Sequence, residues 1–258
     1  MRRPAHPADQ FDQSAESYAA TMAPSLGPIA REVVLRAALR PADKVLDVGT
    51  GTGIAAAAAR GEGREIVGID AAPGMLAIAR RSVSGVGFQE MDFTALDFDG
   101  GSFDVVLAAH ALLFAGDRVG ALREWRRVTR PAGRLSLSVP GPTSVTPTAL
   151  YAEIYRRHGI DTSDRYPTEA SIRDWAGEAG WARAETATDP TTAIVLRDET
   201  AFRAWRAIGS RGAATAHYTQ AQHDALTDEM LAVTPRDSAG RFRLPFGTLY
   251  LTARKAGA

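Results

Sequence analysis

Residues 45–53 read Val-Leu-Asp-Val-Gly-Thr-Gly-Thr-Gly, a short apolar run that stops on three glycines at alternate positions. Such a stretch is a buried strand feeding a turn, and glycines there let a ligand approach the backbone more closely than any Cβ permits. The next segments fit a strand-turn start. Residues 54–60 are alanine-rich and helix-favouring, and residues 65–70 form a second short β-branched run, which completes one β-α-β unit. The unit recurs. Pro73 opens a helix through Arg81, residues 86–91 and 103–109 read as strands, residues 118–129 as an amphipathic helix, and residues 133–139 as a strand. Strands alternating with helices give an α/β fold, a parallel sheet covered on both faces.

The flanks are less regular. Ile29, Val33, Val34, Ala37 and Leu39 recur at helical spacing over residues 28–40, and Pro41 ends that helix. After Pro140, Gly141 and Pro142 the pattern becomes mixed, with a helix over 168–179 closed by Gly180. Residues 181–197, interrupted at Pro190, and residues 241–254 read as strands, separated by helical stretches near 199–208 and 219–231. With 258 residues, one large domain is expected. It divides into an N-terminal helical lid (1–40), a ligand-binding core (41–140) and a substrate-side portion (141–258) with a helical insertion at about 199–233 and a final strand.

Composition narrows the functional classes. Thirty basic and thirty acidic residues cancel, so no overall field gathers nucleic acid or anionic lipid. The chain has no cysteine, which removes disulfides, thiolate metal sites and cysteine nucleophiles, and no dense His/Asp/Glu cluster argues for a metal. The first seven residues lack the apolar core of a signal peptide, and no apolar stretch approaches the ~20 residues of a membrane span. A soluble, cytoplasmic protein with a small-molecule partner is expected, alone or as a homodimer.

Asp70 stands at the end of the second strand, 21 residues after Gly49. That is close to the spacing of ~20 that places a carboxylate on ribose hydroxyls. Together with the glycine turn it points to an adenosine-containing ligand. The dinucleotide pattern would need glycine at position 54, which is Ile54, so a nicotinamide-dependent oxidoreductase is disfavoured.

Six blocks in this order carry a resemblance: Phe11 to Tyr18, the Val45 to Gly53 turn, Gly68 to Leu76, Met91 to Phe93, Phe103 to Phe114 and Leu122 to Gly141. In these the chain resembles the class I S-adenosylmethionine-dependent methyltransferases, in particular the small-molecule branch that includes the ubiquinone/menaquinone biosynthesis type. The resemblance implies a Rossmann-like three-layer sandwich whose seven-stranded, mostly parallel sheet has an antiparallel last strand. It implies S-adenosyl-L-methionine as cofactor, S-adenosyl-L-homocysteine as product, and a set of contacts. Gly49 and Gly51 line the methionine part, Asp70 accepts both ribose hydroxyls, and Ala71 and Met75 cover the adenine. Asp92 receives the adenine amino group beside the Phe93 backbone, Tyr18 closes over the cofactor carboxylate, and Thr50 and Ala109 complete the set. Asp47 supports the glycine turn, or reaches the cofactor amino group through water.

Methyl transfer from a sulfonium is an in-line displacement that positioning and water exclusion accelerate, and a general base is optional. His110, at the carboxyl end of the fourth strand, is the candidate base, with a hydrogen-bonded pocket wall as its plain alternative. Asp70 and Asp92 have their own plain alternative as helix N-caps. His158, His217 and His223 read as exposed polar residues. Tyr151, Tyr155, Trp175, Trp181, Phe202, Trp205 and Phe246 are available to an apolar acceptor pocket, although Phe202 and Trp205 sit at packing spacing. Two other classes compete: a cofactor-binding relative that catalyses a non-methylating reaction such as a cyclisation, and a non-catalytic binding module.

Overall fold

The computed structural model describes residues 7–61, 64–160, 166–208 and 215–257. Residues 1–6, part of the segment considered for a signal peptide, lie outside them. Nine strands are described: β1 (Lys44–Val48), β2 (Glu65–Asp70), β3 (Gly87–Glu90), β4 (Phe103–Ala109), β5 (Thr129–Pro140), β6 (Ala182–Asp189), β7 (Ala193–Leu196), β8 (Phe242–Pro245) and β9 (Thr248–Arg254). Seven form one sheet in the order β3-β2-β1-β4-β5-β9-β6. The first five run parallel, and β9 lies antiparallel to both β5 and β6. This is the Rossmann-like sheet with its antiparallel last strand.

The central strands are apolar on both faces because both are covered. Val45, Val105 and Leu107 face one core, with Val33 of α3 (Ala23–Arg36) and Ala56 of α4 (Ile54–Ala59). Their neighbours Leu46, Val106 and Ala108 face the other, with Leu122 and Trp125 of α6 (Arg118–Val128) and Ile172 of α9 (Glu169–Glu178). The remaining helices are α1 (Pro7–Gln13), α2 (Ala15–Thr21), α5 (Pro73–Ser82), α7 (Pro147–Leu150), α8 (Ala152–Arg157), α10 (Glu199–Ala207) and α11 (Gln220–Val233). Phe202, Trp205, Leu226 and Met230 of α10 and α11 join the first core, so these aromatics are packing. Tyr151 is buried there too, and its hydroxyl is 2.6 Å from that of Thr234.

Three expectations shift. The N-terminal helix begins at Ala23 rather than near 28 and ends at Arg36. Pro28 removes one backbone hydrogen bond, but the buried row Leu26, Ile29, Ala30 and Val33 continues through it. The strand expected over 133–139 extends to Thr129–Pro140, with a register shift against β4 between Phe103 and Val105. Residues 181–197 and 241–254 are each two strands. Asp189 turns the chain at Pro190 by accepting the Thr191 amide at 2.8 Å, and the Phe246–Gly247 pair breaks the second run. The outlying segments, β7 and β8, pair with each other in a separate two-stranded sheet.

Candidate active site

A cavity of about 600 Å³ opens along the carboxyl ends of β1, β2, β4 and β5, where open α/β sheets bind ligands. Tyr18, Gly49, Gly51, Asp70, Ala71, Met75, Asp92, Phe93, Ala109 and His110 all line it. Thr50 does not. Gly49 (φ +63°) and Gly51 (φ +55°) turn the backbone in the left-handed region, and the Thr50 side chain between them is buried. Its hydroxyl donates to Asp47 Oδ2 at 2.6 Å, and the same oxygen accepts the Ala56 amide at 3.0 Å. Asp47 therefore supports the turn and the start of α4. Burial raises its pKa to about 7, opposed by the hydrogen bonds from Thr50 and Ala56.

The turn has room on one side only. A Cβ on Gly49 would stand 2.6 Å from the Ala111 Cβ, whereas a Cβ on Gly51 would meet no atom within 4 Å. The Asp70 carboxylate closes the other side. Oδ2 accepts the Gly51 amide at 2.8 Å and Oδ1 the Ala72 amide at 2.9 Å. Burial pushes this carboxyl upward, against the backbone N–H groups of Ala72, Gly51 and Ala71. A carboxylate has about four acceptor positions, so the backbone donors leave acceptor capacity for a ligand hydroxyl. Asp70 is thus no simple helix cap: it faces the cavity and braces the glycine turn.

Asp92 sits on a loop fastened from three sides. The Met91 amide donates to the Asp70 carbonyl at 3.0 Å, the Trp125 indole donates to the Phe93 carbonyl at 2.9 Å, and the Leu96 amide donates to Glu124 at 2.8 Å. Asp92 Oδ1 accepts the Thr94 amide and hydroxyl at 2.8 and 2.7 Å, an Asx turn that holds the loop. On the cavity wall, Phe11 of α1 packs edge-on against Phe114 (centroids 5.0 Å) and Tyr18 (6.0 Å). The N-terminal helices are tied to α5: the Gly74 amide donates to Asp12 at 2.6 Å, and Arg81 pairs with Glu16 at 2.7 Å.

His110 stands in the middle of the wall. As a residue it is half-buried, but both ring nitrogens are shielded from solvent and neither has a hydrogen-bond partner. Burial lowers its pKa to about 3, so the ring is neutral at pH 7. Its backbone is left-handed (φ +59°), held by its amide donating to the Ser138 carbonyl at 2.9 Å. That conformation costs a non-glycine residue ~1 kcal/mol and marks over-determined, functional positions. The ring lies 5.3 Å from that of Phe246, which also lines the cavity. The other described histidines lie elsewhere: His158 accepts or donates at Glu229 (3.0 Å), His223 meets Arg206, and His217 packs on Tyr218.

Several wall residues carry no recognisable signal in the sequence, namely Leu26, Arg118, Tyr166 and Ile208. Phe11 joins them on the wall, and for it a helical spacing of seven to Tyr18 was available. Among the described residues no cluster of three or more His, Asp or Glu fit to hold a metal occurs, and no helix is long and apolar enough to cross a membrane.

The residues present fit S-adenosylmethionine: open space over Gly51, unfilled acceptor positions on Asp70, and an apolar wall from Met75 and Phe93. Comparison with known proteins agrees. The methyltransferase domain family matches residues 46–137. A demethylmenaquinone methyltransferase of Mycobacterium sp. (strain JLS) is 35% identical over 196 residues, 70% of this chain and 84% of that protein. Another, from Beutenbergia cavernae, is 34% identical over 155 residues, 55% of this chain and 63% of that protein, so the match spans less than two thirds of its length. In the solved complex of the Haloferax volcanii Trm112 methyltransferase activator with a methyltransferase, one chain superposes with a TM-score of 0.62 at 23% identity, covering 97% of both chains. On these grounds the chain belongs to the S-adenosylmethionine-dependent methyltransferase family.

Proposed function

We propose that the protein methylates a small apolar or aromatic metabolite, at oxygen, with His110 as the group that takes the acceptor's proton. The observation that carries this is the pair of buried, unpartnered nitrogens of His110 on the cavity wall. A buried polar group without a partner is costly, and a ligand hydroxyl offers the missing hydrogen bond. When bound, S-adenosylmethionine supplies an electrophilic methyl group. Gly49, Gly51, Tyr18 and Ala109 hold its amino-acid end, Asp70 the ribose, and Ala71, Met75, Asp92 and Phe93 the adenine. In the reaction the acceptor's O–H bond would break and its proton pass to an imidazole nitrogen, while its oxygen takes the methyl group as the bond between that carbon and the donor sulfur breaks, leaving the neutral thioether S-adenosylhomocysteine.

With a pKa of about 3 an isolated imidazole is a feeble base, but an acidic acceptor hydroxyl alongside it would raise that value by supplying a negative partner. Phe246, Pro140 and Leu26 give the acceptor an apolar, water-poor enclosure that sharpens in-line positioning. On this reading residues 1–40 are the lid, 41–140 hold the cofactor and 141–258 shape the acceptor side, in a cytoplasmic enzyme that needs no nucleic acid, as monomer or homodimer.

The test is turnover of methyl-labelled S-adenosylmethionine with hydroxyl, amine and carbon-acid aromatics. Hydroxyl acceptors are expected to be methylated, and His110→Ala to lower that turnover ~100-fold with S-adenosylhomocysteine affinity within threefold of the parent. Unchanged turnover would make the catalysis purely positional and remove His110 from it.

A further inference from the structure

The two ends of the cavity differ in charge. At the β2 and β3 end stand the carboxylates of Asp70 and Asp92; at the β5 and β9 end stand Pro140 and Phe246, and Arg118 at the start of α6 stacks on Trp175 of α9, the helix that packs on β6 and β9. His110, on β4's carboxyl end, lies between.

Arg118 has no hydrogen bond or ion pair among the described residues, and its Nε is buried without a partner. Nearby carboxylates are otherwise engaged. Asp117 is turned away to cap α6, accepting the Gly120 amide at 2.8 Å, and Asp92 holds Thr94. The guanidinium is nonetheless fixed in place, its carbon 5.0 Å from the centroid of the Trp175 ring in α9. Stacking on that ring leaves the in-plane edge, the fork of N–H donors, free to meet a ligand. A buried guanidinium nitrogen without an acceptor is costly, and a carboxylate matches the fork in two parallel hydrogen bonds. The walls around it, Phe246, Tyr166 and Ile208, suit an apolar ring system.

We propose that Arg118 recognises a carboxylate carried by an otherwise aromatic methyl acceptor, so that the enzyme selects aromatic acids over their neutral counterparts. The inference rests on the acceptor-side reading of the proposed function. A carboxylate could also come from the cofactor's own amino-acid end. The topology favours the acceptor, because Trp175 belongs to α9, which packs on β6 and β9, across the sheet from β2 and Asp70.

The probes are anthracene-2-carboxylate and its neutral anthracene-2-carboxamide, titrated calorimetrically into protein saturated with S-adenosylhomocysteine. The acid is expected to bind at least tenfold more tightly than the amide. Arg118→Gln reduces that preference to under twofold while leaving amide and S-adenosylhomocysteine affinities within twofold, and Arg118→Lys recovers part of it. Equal binding of acid and amide to the parent protein, or binding of neither, overturns the proposal. So does an equal loss of both in Arg118→Gln, which marks a packing role. A tenfold loss of S-adenosylhomocysteine affinity, with 5′-methylthioadenosine unaffected, assigns the carboxylate to the cofactor and overturns it as well. Failure of the parent protein to bind S-adenosylhomocysteine at all would instead refute the cofactor reading on which the proposal stands.

Discussion

Replacing Asp70 by alanine separates two duties that one carboxylate holds. It accepts the Gly51 and Ala72 amides at 2.8 and 2.9 Å, and on the proposed reading its other lone pairs accept both ribose hydroxyls. Hydrogen bonds to a charged acceptor contribute ~1.5 kcal/mol each at the low end, so losing two costs ~3 kcal/mol, or ~100-fold in Kd. The two backbone donors lose their acceptor in the same variant. At ~0.5–1 kcal/mol for each partly solvated group, stability falls by ~1–2 kcal/mol, which lowers Tm by roughly 2–8 °C for a chain of this size. Asp70→Asn keeps one carbonyl oxygen and the side chain's volume, so it should lie between parent and alanine on both scales. The assay is calorimetric titration of S-adenosylhomocysteine, with thermal unfolding of the same samples. A folded Asp70→Ala protein whose affinity changes less than threefold would refute the ribose assignment. An affinity loss that Asp70→Asn restores fully would show that the carboxylate acts only through the glycine turn.

The remaining predictions concern the turn and the two buried titratable groups. Gly51→Ala places a methyl group in open space at a left-handed position, so it should cost ~1–2 kcal/mol of stability and lower cofactor affinity at least tenfold. Gly49→Ala collides with Ala111 and should lose more stability than Gly51→Ala; thermal unfolding of the pair checks the order. His110, lowered by burial from 6.5 to about 3, destabilises the fold as pH drops below 6.5, since only the unfolded chain takes up the proton; the penalty reaches at most ~5 kcal/mol near pH 3. Asp47, raised by burial from 3.8 to about 7, acts oppositely: its contribution is full below pH 3.8 and is lost as pH rises to 7. Urea midpoints across pH 4–8 should therefore show a flatter acid limb in His110→Phe and a smaller decline toward pH 7 in Asp47→Asn; parallel curves for parent and variants would contradict these assignments.

Much of the sheet is legible in the sequence because its central strands are buried on both faces. Residues 103–109 form a continuous apolar run and are a strand at those bounds. Thr168 and Pro73 mark helix starts through local chemistry, a capping box in one case and a fixed φ in the other. What is hidden depends on distant contacts. Nothing local in Ala193–Leu196 says that it leaves the main sheet to pair with Phe242–Pro245. The Thr50 side chain reads as a ligand contact until the alternation of Gly49 and Gly51 turns it inward to Asp47. Arg118 is the first residue of a helix legible in the sequence, and nothing local singles it out. Its meaning comes from Trp175, far along the chain, and from the carboxylates that do not meet it. The Phe11–Phe114 contact on the cavity wall is likewise a tertiary fact.

The central claim is that this cavity brings a methyl donor and a small organic acceptor together. Its most direct measurement incubates the protein with methyl-labelled S-adenosylmethionine and fractionated small molecules from the source cells, and follows the label by mass spectrometry. The account predicts a small aromatic product that carries the label in an O-methyl group, formed in much smaller amount by Asp70→Ala protein at the same subsaturating S-adenosylmethionine. Tight S-adenosylmethionine binding with no label transferred to any fraction would contradict it and favour non-methylating chemistry in the same cavity.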